Sequence, residues 1–434
     1  MTLDRRSFIK LLGSASTAAM AGCAGSAAVS SGSAAELMPK SSGRRVVVIG
    51  GGYGGTIAAK YVRMLDASIE VVLIERNKEY VSCPFSNYYI GGLIKDLTPL
   101  TISYDKLAAN HGVKMVYAEV TAIDPAAKVV TTSNGRLTYD RLIVSPGVDF
   151  RTEEVEGYTE QTVSVMPHAW KAGPQTIALR KQLEDMADGG KVIISMPLTP
   201  YRCPPGPYER ACLIGNYLKH HKPKSKVILL DANPDVVSKK PLFTKAWNTY
   251  YKDIVSYVPA KKVTKVDTAS KTLFVEGIED FTGDVVNFIP AQRAGRIAVA
   301  AGLVGPDKNW CPVDATTFES TIHKAIHVIG DASIAGAMPK SGYSANSEAK
   351  VCATNVVALM NGKEPTELSG INVCYSAISD SESVSIAGVY KVAEGKIVGV
   401  PNSGGISPVD FSQTKLEHIY AESWLKNILT EMST

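Results

Sequence analysis

A glycine-rich turn between a short apolar strand and a helix constrains this chain more than any other feature. Gly50, Gly52 and Gly55 fit the pattern G-x-G-x-x-G directly after the β-branched run RRVVVIG. A helical stretch follows, and a second apolar run ends at Glu75. In such a unit the first glycine permits the tight turn, the second lets the backbone approach a pyrophosphate, and the third lets helix and strand pack closely. The acid at the strand end accepts hydrogen bonds from ribose hydroxyls. The pattern therefore predicts an α/β, Rossmann-like dinucleotide-binding fold.

The length and charge of the chain limit its class. With 434 residues and roughly 100–200 residues per domain, it is long enough for roughly two to four domains. Its net charge is +4, and residues 1–40 hold four cations against two anions, so the remaining chain is near +2. A protein that binds nucleic acid is expected to carry a basic face. The near-neutral body argues against a nucleic-acid partner.

A second nucleotide-binding layout lies downstream. Lys191–Met196 (KVIISM) and Lys226–Asp231 (KVILLD) read as two strands, the second with a terminal acid. The turn after the first strand reads PLTPYRCPPGPYER, with prolines where a phosphate cradle needs glycines. Proline offers no N–H to a phosphate and fixes φ near −65°. The pattern predicts a vestigial NAD(P)H-like domain that no longer binds a nicotinamide.

The first residues resemble a twin-arginine export signal. The sequence DRRSFIK is followed by an uncharged stretch over residues 11–35 that is rich in Ala, Gly and Ser. That stretch is long enough to span a bilayer, but few of its residues are strongly apolar, which favours a signal over a membrane span. We expect cleavage between about Gly22 and Lys40. The signal predicts a periplasmic protein that is exported after its cofactor is inserted.

Two further segments identify the dinucleotide. TYDRLIVSPG, which ends at Gly147, and IHVIGDAS, which contains Asp331, resemble segments of flavoproteins with two dinucleotide folds. The resemblance implies that FAD occupies the first fold and that Asp331 binds its ribityl chain or phosphate. The expected domains are a signal (1–40), a discontinuous FAD domain (44–150 plus 285–370), the vestigial domain (151–284) and a C-terminal interface domain (371–434).

The cysteines fall into two groups. Cys212, Cys311 and Cys352 are interpreted as core residues. Cys83 follows the second strand of the FAD domain, Cys203 lies in the proline-rich turn, and Cys374 lies beyond the FAD domain. The six cysteines that follow the predicted signal include no C-x-x-C pair. Zinc is therefore not expected, and without C-x-x-C-H no c-type haem is attached to this chain. Spacing alone does not pair Cys203 with Cys374.

The C-terminal stretch Lys415–Met432 has apolar residues at helical spacing. Its polar face mixes Glu and Lys, whereas a helix that docks on a membrane surface favours cations. We expect it to pack against the body or a partner subunit. Trp424 is a candidate for either contact, and packing within the chain is favoured.

Taken together, the motifs resemble the flavoprotein subunit of flavocytochrome c sulfide dehydrogenase along essentially the whole chain. The long and specific ones are RCPPGPYERA and MPKSGYSAN. The others are the twin-arginine start, VVVIGGGYGG, YVSCPFSN, PHAWKAGPQT, IPAQRAG, WCPVD and INVCYS. The fold implied is that of glutathione-reductase-like proteins, with two Rossmann-like domains and a C-terminal interface domain.

The resemblance also implies roles for single residues. Cys83 matches the cysteine joined by a thioether to the flavin, although Pro84 replaces the tyrosine or similar residue expected after it. Cys203 and Cys374 match a redox-active disulfide, and Glu209 matches an acid beside it. The segment from Lys340 through Ser341, Gly342 and Tyr343 to Ser344 matches the chain that passes the flavin's pyrimidine side.

The function implied is oxidation of hydrosulfide through the disulfide and FAD, with electrons leaving to a separate c-type cytochrome subunit. Two alternatives remain at this point. One is a membrane-associated sulfide:quinone oxidoreductase, and the other is an idle FAD-binding protein that serves in assembly. The export signal and the C-terminal helix without excess basic charge argue against the quinone-reducing alternative.

Overall fold

A computed structural model of the chain describes residues 35–277 and 279–434. Its α-helices are, in chain order, α1 (Tyr53–Leu65), α2 (Ser86–Ile90), α3 (Asp105–His111), α4 (Pro174–Asp185), α5 (Gly206–His221), α6 (Lys240–Tyr250), α7 (Arg296–Ala300), α8 (Gly342–Met360) and α9 (Thr414–Ser433). The strands of the first half are β1 (Arg45–Ile49), β2 (Glu70–Glu75), β3 (Glu79–Val81), β4 (Thr101–Ser103), β5 (Lys114–Tyr117), β6 (Val120–Asp124), β7 (Val129–Thr132), β8 (Gly135–Thr138), β9 (Arg141–Val144), β10 (Val148–Phe150), β11 (Lys191–Met196) and β12 (Lys226–Asp231). Those of the second half are β13 (Val255–Val258), β14 (Val263–Asp267), β15 (Thr272–Val275), β16 (Asp280–Thr282), β17 (Val285–Phe288), β18 (Gln292–Ala294), β19 (Ile326–Val328), β20 (Ser369–Ala377), β21 (Ser383–Ala393), β22 (Lys396–Gly399) and β23 (Gly405–Ile406).

The first nucleotide fold is a parallel sheet in the order β19-β9-β1-β2-β5. Its central strands are continuous apolar runs because both faces of the sheet are covered, one by α1 and α8 and the other by the sheet of β6, β7 and β8. Val46, Val48 and Leu73 are fully buried. Helices α1 and α8 pack against each other, so the distant segment that carries α8 joins the N-terminal fold. The predicted discontinuous FAD domain has this arrangement.

The second nucleotide fold is a parallel sheet in the order β13-β12-β11-β17. Strand β17 pairs with β11 through Val192 and Val285. The predicted boundary at residue 285 is therefore wrong for this strand, which belongs to the second fold. Its sequence VVNF is one more buried β-branched run, and either sheet can accept such a run. The two Rossmann-like sheets confirm the predicted fold class.

The C-terminal part is an antiparallel sheet of β20, β21 and β22, with β23 paired to β21. Strand β20 begins at Ser369, two residues before the predicted boundary. Helix α9 packs on β20 and β21. Within it, Trp424 lies 6.3 Å from the ring of Phe85 and 6.1 Å from that of Tyr343. Trp424 thus packs against the body of the chain.

The predicted export signal falls mostly outside the described residues. Its last predicted residues pack on the first nucleotide fold, because the Leu37 amide donates to the Arg136 carbonyl at 2.8 Å and the Lys40 ammonium pairs with Asp140 at 3.0 Å. The body of the protein therefore includes residues 37–40, which the predicted domain bounds assigned to the signal but which lie within the expected cleavage range. Of the helices in the described ranges, none combines the length and the apolar character that a bilayer crossing requires.

Candidate active site

The glycine-rich turn has the close approaches that its sequence predicts. Gly50 has φ +100°, and a Cβ there would lie 2.2 Å from the Ser145 carbonyl oxygen. A Cβ on Gly55 would lie 1.8 Å from the Gly50 carbonyl oxygen. Both positions therefore require glycine, one for its backbone conformation and both for space. The result is a turn that brings the start of α1 to the end of β1.

A cavity of about 2100 Å³ opens at this turn. It is larger than a pocket for a drug-sized ligand, for which about 300–1,000 Å³ is typical, and this size suits a dinucleotide. The predicted cofactor-binding residues that line it are Gly50, Gly52, Glu75, Cys83, Gly147, Asp331 and Gly342. The cavity therefore joins residues from both parts of the predicted FAD domain.

The two acids in this cavity have different surroundings. Glu75 accepts a hydrogen bond from the Gly51 amide at 2.8 Å, which fixes its carboxylate beside the turn. Asp331 Oδ1 is buried and has no hydrogen-bond partner among the described residues, and burial raises the pKa of its carboxyl. A buried acceptor without a partner costs free energy unless a ligand donates to it. Asp331 therefore fits a hydroxyl-bearing ligand such as the ribityl chain of FAD.

Gly55 packs beneath the turn and does not line the cavity, and neither do three other predicted cofactor residues, Lys340, Ser341 and Tyr343. Lys340 directs its ammonium to the carbonyls of Asp331 and Ser333, at 2.9 and 2.8 Å, and lies 3.8 Å from the ring centre of Trp310. Ser341 caps α8 by accepting from the Ser344 amide at 3.1 Å. The Lys340 ammonium thus lies against its own turn, and the role that the resemblance implies for this segment stays a prediction.

Tyr343 is the third residue, and it packs in the core beside Trp424. Of the predicted segment, Gly342 at the first residue of α8 does line the cavity. The N-terminus of a helix offers free N–H groups and positive potential. The start of α8 can therefore stabilise negative charge on a ligand in the cavity.

Cys83 lies on the cavity wall between the two nucleotide folds. Its sulfur accepts from the Ala172 amide at 3.3 Å and lies 3.6 Å from the Trp170 carbonyl oxygen. Unlike Cys212, Cys311 and Cys352, which are fully buried as predicted, Cys83 is only partly buried. Its sulfur is therefore placed to meet a ligand in the cavity.

Cys203 and Cys374 come from distant parts of the chain and are brought near each other where α5 packs on β20. Cys203 precedes α5 with φ 57°, and its amide donates to the Lys340 carbonyl at 2.7 Å. Cys374 lies on β20 opposite Ile386. The two are separate thiols in this structure. Burial raises the pKa of the Cys203 thiol, and the negative charge of Cys374 raises it further, which reflects their closeness.

Glu209 links the elements that carry these two cysteines. Its carboxylate accepts from the Asn87 side-chain amide at 2.7 Å and from the Ala377 backbone amide at 2.9 Å. Burial raises the pKa of this carboxyl, while both hydrogen bonds lower it. A buried acid whose pKa is raised can hold a proton near neutral pH and release it during a reaction.

The second nucleotide fold uses its terminal acid internally. Asp231, at the end of β12, is fully buried and accepts from the hydroxyls of Tyr208 and Tyr257 at 2.8 and 3.0 Å. In a nicotinamide-binding fold this position would accept from ribose hydroxyls. Together with Pro205 at the start of α5, this arrangement favours the predicted loss of nicotinamide binding.

Three cations near the cysteines were not predicted: Arg202 is partly buried, and Arg210 and Lys239 are buried. Arg202 lines the cavity and directly precedes Cys203. It is the first residue of the motif RCPPGPYERA, so that motif could have indicated its place at the site. Arg210 is in the same motif and donates to four neutral acceptors, the side-chain oxygens of Asn87 and Asn287 and the carbonyls of His168 and Ala169. Lys239 lies in an ordinary polar stretch, and no sequence pattern distinguishes it from a surface lysine. Within residues 35–277 and 279–434, His, Cys, Asp and Glu form no group suited to a metal ion.

Three family models match successive parts of the chain. Residues 44–179 match the pyridine nucleotide-disulphide oxidoreductases. Residues 176–290 match the central part of the sulfide dehydrogenase (flavocytochrome c) flavoprotein chain. Residues 367–432 match the flavin-binding part of flavocytochrome c sulphide dehydrogenase. The matches thus cover the first fold, the second fold and the C-terminal sheet with α9.

Individual relatives agree with these matches. The sulfide dehydrogenase flavoprotein chain of Chlorobaculum thiosulfatiphilum is 59% identical over 44 residues, which are 10% of this chain and 92% of that sequence. The mitochondrial sulfide:quinone oxidoreductase of Dictyostelium discoideum is 24% identical over 190 residues, 43% of this chain and 41% of that protein. Both are named for reactions of sulfide.

Solved structures with the same fold cover nearly the whole chain. The sulfide:quinone oxidoreductase of Aquifex aeolicus has a TM-score of 0.70 at 17% identity, over 90% of this chain and 91% of that one. The putidaredoxin reductase–putidaredoxin complex gives 0.64 at 17% identity, over 90% and 98%. At these identities the likeness shows the fold alone.

Proposed function

This chain belongs to the family of the flavocytochrome c sulfide dehydrogenase flavoprotein, and from that premise we propose that it is the sulfide-oxidising subunit of a periplasmic flavocytochrome c. Membership of this family makes the chain a flavoprotein oxidoreductase of the sulfide-oxidising kind.

One observation carries the proposal. Cys203 and Glu209 lie at the start of α5, which packs on the strand β20 that carries Cys374, and Arg202, next to Cys203, lines the nucleotide cavity. Two thiols that can form a bridge, next to an acid that can move a proton, are the groups that oxidation of hydrosulfide requires. The prolines of the same loop and the internal use of Asp231 argue that the electrons do not come from a nicotinamide.

The chemistry uses Cys203 and Cys374 in their bridged state. Hydrosulfide attacks one sulfur of the bridge, so a new S–S bond forms in a persulfide while the bridge bond breaks and leaves a thiolate on the other cysteine. Glu209 is placed to take up or return the proton of the substrate. Per hydrosulfide, one sulfur atom leaves at the level of elemental sulfur, with one proton and two electrons.

The residues of the cavity fit FAD, which when bound would supply the acceptor for those two electrons. Glu75 and Asp331 would accept from its hydroxyls, the start of α1 would face its pyrophosphate, and Gly342 at the start of α8 would face the ring end. We propose that Cys83, whose sulfur lies on the cavity wall, joins FAD by a thioether. An S–C bond would replace the thiol S–H bond and a methyl C–H bond of the flavin, and the two electrons released would go to the flavin itself. A tether suits an exported protein that cannot replace lost FAD.

We further propose that a separate c-type cytochrome subunit takes the electrons, in a heterodimer. This chain has no C-x-x-C-H motif that would attach haem c itself. The twin-arginine sequence at the N-terminus supports assembly in the cytoplasm and work in the periplasm.

The deciding experiment is the anaerobic addition of sulfide to the purified holoenzyme while the visible absorption of the flavin is followed. Bleaching supports the proposal, and an unchanged spectrum would support an idle FAD-binding protein. Copurification from the native host with a haem-containing subunit supports the cytochrome acceptor. Reduction of a short-chain quinone by the chain alone, without any cytochrome, would instead favour a sulfide:quinone oxidoreductase.

A further inference from the structure

Lys239 is a buried lysine whose ammonium lies against the strand that carries Cys374. It occupies the residue before α6 with φ 53°, and only 4% of its surface is exposed. Its Nζ donates to the Cys374 carbonyl oxygen and the Ser376 hydroxyl, both at 3.0 Å, and to the Val384 carbonyl oxygen at 3.1 Å. An ammonium has three donors. All three are used, so the cation is fixed beside Cys374.

None of these acceptors carries a charge. A buried cation is normally paired with a carboxylate, because removing a charge from water is costly unless an opposite charge offsets it. Among the described residues no carboxylate lies within ion-pair distance of Lys239. The same is true of Arg210, whose guanidinium also meets only neutral acceptors.

The charged groups buried near the two cysteines are the cations Lys239 and Arg210 and the carboxyl of Glu209, whose pKa is raised by burial, with a second buried carboxyl, Glu417, on α9. The groups that act electrostatically on Lys239 are Cys374, Glu209, Cys203 and, from α9, Glu417. Those that act on Cys374 are Lys239 and Glu209. Lys239 is therefore the cation that acts on Cys374.

We propose that Lys239 is a positioning residue that stabilises the sulfur anion formed on Cys374 when the Cys203–Cys374 bridge is opened. The inference rests on the proposed function, because that reaction is what leaves one sulfur as an anion. The anion is a thiolate if hydrosulfide attacks Cys203, and a deprotonated persulfide if it attacks Cys374. Lys239 stabilises either one from the same fixed position.

The electrostatics of the pair agree in direction with this geometry. Burial raises the pKa of the Cys374 thiol, and Lys239 is the largest influence that lowers it. Reciprocally, burial lowers the pKa of the Lys239 ammonium, and the charge of Cys374 is the largest influence that raises it. For Cys203, the largest influence after burial is the charge of Cys374, which raises the pKa.

The test measures the pKa of Cys374 directly in the FAD-loaded enzyme carrying Cys203→Ser. Alkylation of Cys374 by iodoacetamide is followed by peptide mass spectrometry as a function of pH. Lys239→Gln removes the charge but keeps a hydrogen-bond donor, Lys239→Arg keeps the charge, and Lys240→Gln is the matched control. Lys240 is the next residue, is exposed, and pairs with Asp235 on the surface.

We expect Lys239→Gln to shift the pH profile upward by about one unit, so that alkylation below the pKa is about tenfold slower. Lys239→Arg should recover most of the rate, and Lys240→Gln should not change it. A Lys239→Gln profile that coincides with that of the parent enzyme, with FAD absorption intact, overturns the proposal. A merely structural lysine would alter FAD retention without moving the profile.

If Lys239→Gln does not fold, the proposal is tested in enzymes that keep Lys239, by comparing the pKa values of the two cysteines. Cys374 in the Cys203→Ser enzyme must then titrate at lower pH than Cys203 in the Cys374→Ser enzyme, and the reverse order overturns the proposal. These measurements need no sulfide. Failure of sulfide to bleach the flavin therefore overturns the proposed function separately.

Discussion

The carboxylate of Glu209 accepts a hydrogen bond from the backbone amide of Ala377 at 2.9 Å. Glu209 lies in the first turn of α5, just after the Cys203 loop, and Ala377 ends the strand that carries Cys374. The buried carboxylate of Glu209 thus links α5 to β20, the two elements that bring the cysteines near each other. Its role in proton movement and its role in positioning have to be separated by experiment.

Glu209→Gln separates them. The glutamine can still accept from the Ala377 amide but cannot carry a proton, so we expect the rate of flavin bleaching by sulfide to fall by about 10²-fold while FAD stays bound. Because burial raises the pKa of Glu209, the parent enzyme should also show an ionisation in its pH–rate profile that the variant lacks. Stopped-flow absorption under anaerobic conditions measures both. Glu184→Gln, at an exposed residue of α4, is the control, and a Glu209→Gln enzyme with the parent rate excludes Glu209 from proton transfer.

Replacing Cys203 or Cys374 tests whether sulfide is oxidised through a bridge between them. Cys203→Ser and Cys374→Ser should each abolish reduction of the flavin by sulfide, since neither variant can form the bond that hydrosulfide opens. Dithionite, which needs no bridge, should still reduce the flavin in both variants, and this reaction is the control. Normal reduction by sulfide in one variant would remove that cysteine from the mechanism.

Gly55→Ala tests the packing beneath the nucleotide turn. The new Cβ would lie 1.8 Å from the Gly50 carbonyl oxygen, so the backbone has to move. We expect a loss of stability of about 1–3 kcal/mol and weaker FAD retention, measured by thermal denaturation and by the flavin-to-protein absorption ratio. Gly43→Ala is the control, since nothing lies within 4 Å of a Cβ at that position. Equal melting temperatures for the two variants would contradict the packing argument.

The first nucleotide fold could be predicted from the sequence because its signals are local. The fold of this unit follows from the order of strand, turn, helix and strand, which neighbouring residues largely determine. That order fixes the close backbone contacts at Gly50 and Gly55 and the place of Glu75 at the strand end. The nearness of Cys203 and Cys374 could not be predicted in this way, because it depends on the packing of α5 against β20, which are far apart in the sequence. Only the resemblance to the family predicted that the two cysteines form a pair.

Side-chain direction is what the sequence failed to predict. Lys340 could face either the cavity or its own turn, and two backbone carbonyls with the Trp310 ring favour the turn. Lys239 and Lys240 are adjacent and alike in sequence, but one is buried and the other exposed. The strand Val285–Phe288 was assigned to the wrong sheet because an apolar run does not specify its pairing partner.

The covalent tether is tested by acid precipitation. If Cys83 is joined to FAD, the yellow colour should remain with the precipitated parent protein and appear in the supernatant of Cys83→Ser. The serine hydroxyl can still accept from the Ala172 amide, so the cavity should keep FAD by non-covalent contacts before acid is added. Cys203→Ser is the control and should keep its flavin after precipitation. Full release of flavin from the parent protein would exclude the thioether.

Glu348 makes stability depend on pH in a defined direction. It is buried on α8 behind the FAD cavity and accepts from the Gly330 amide at 2.7 Å. Burial raises its pKa from the ordinary value of 4.5 to about 8. A raised pKa means that the folded state holds the proton more tightly than the unfolded chain does. The stabilisation is therefore complete below about 4.5 and is lost as the pH rises to about 8.

Glu348→Gln should abolish this dependence, because the amide stays neutral and can still accept from the Gly330 amide. We expect the melting temperature of the parent protein to fall relative to that of the variant across this pH window, by the equivalent of about 1.4 kcal/mol per pH unit at most. Thermal denaturation of the FAD-loaded proteins measures it, with Glu364→Gln at an exposed position as the control. Parent and Glu348→Gln curves that stay parallel across the window would mean that Glu348 is ionised throughout, and that its charge is balanced by the Lys340 ammonium nearby.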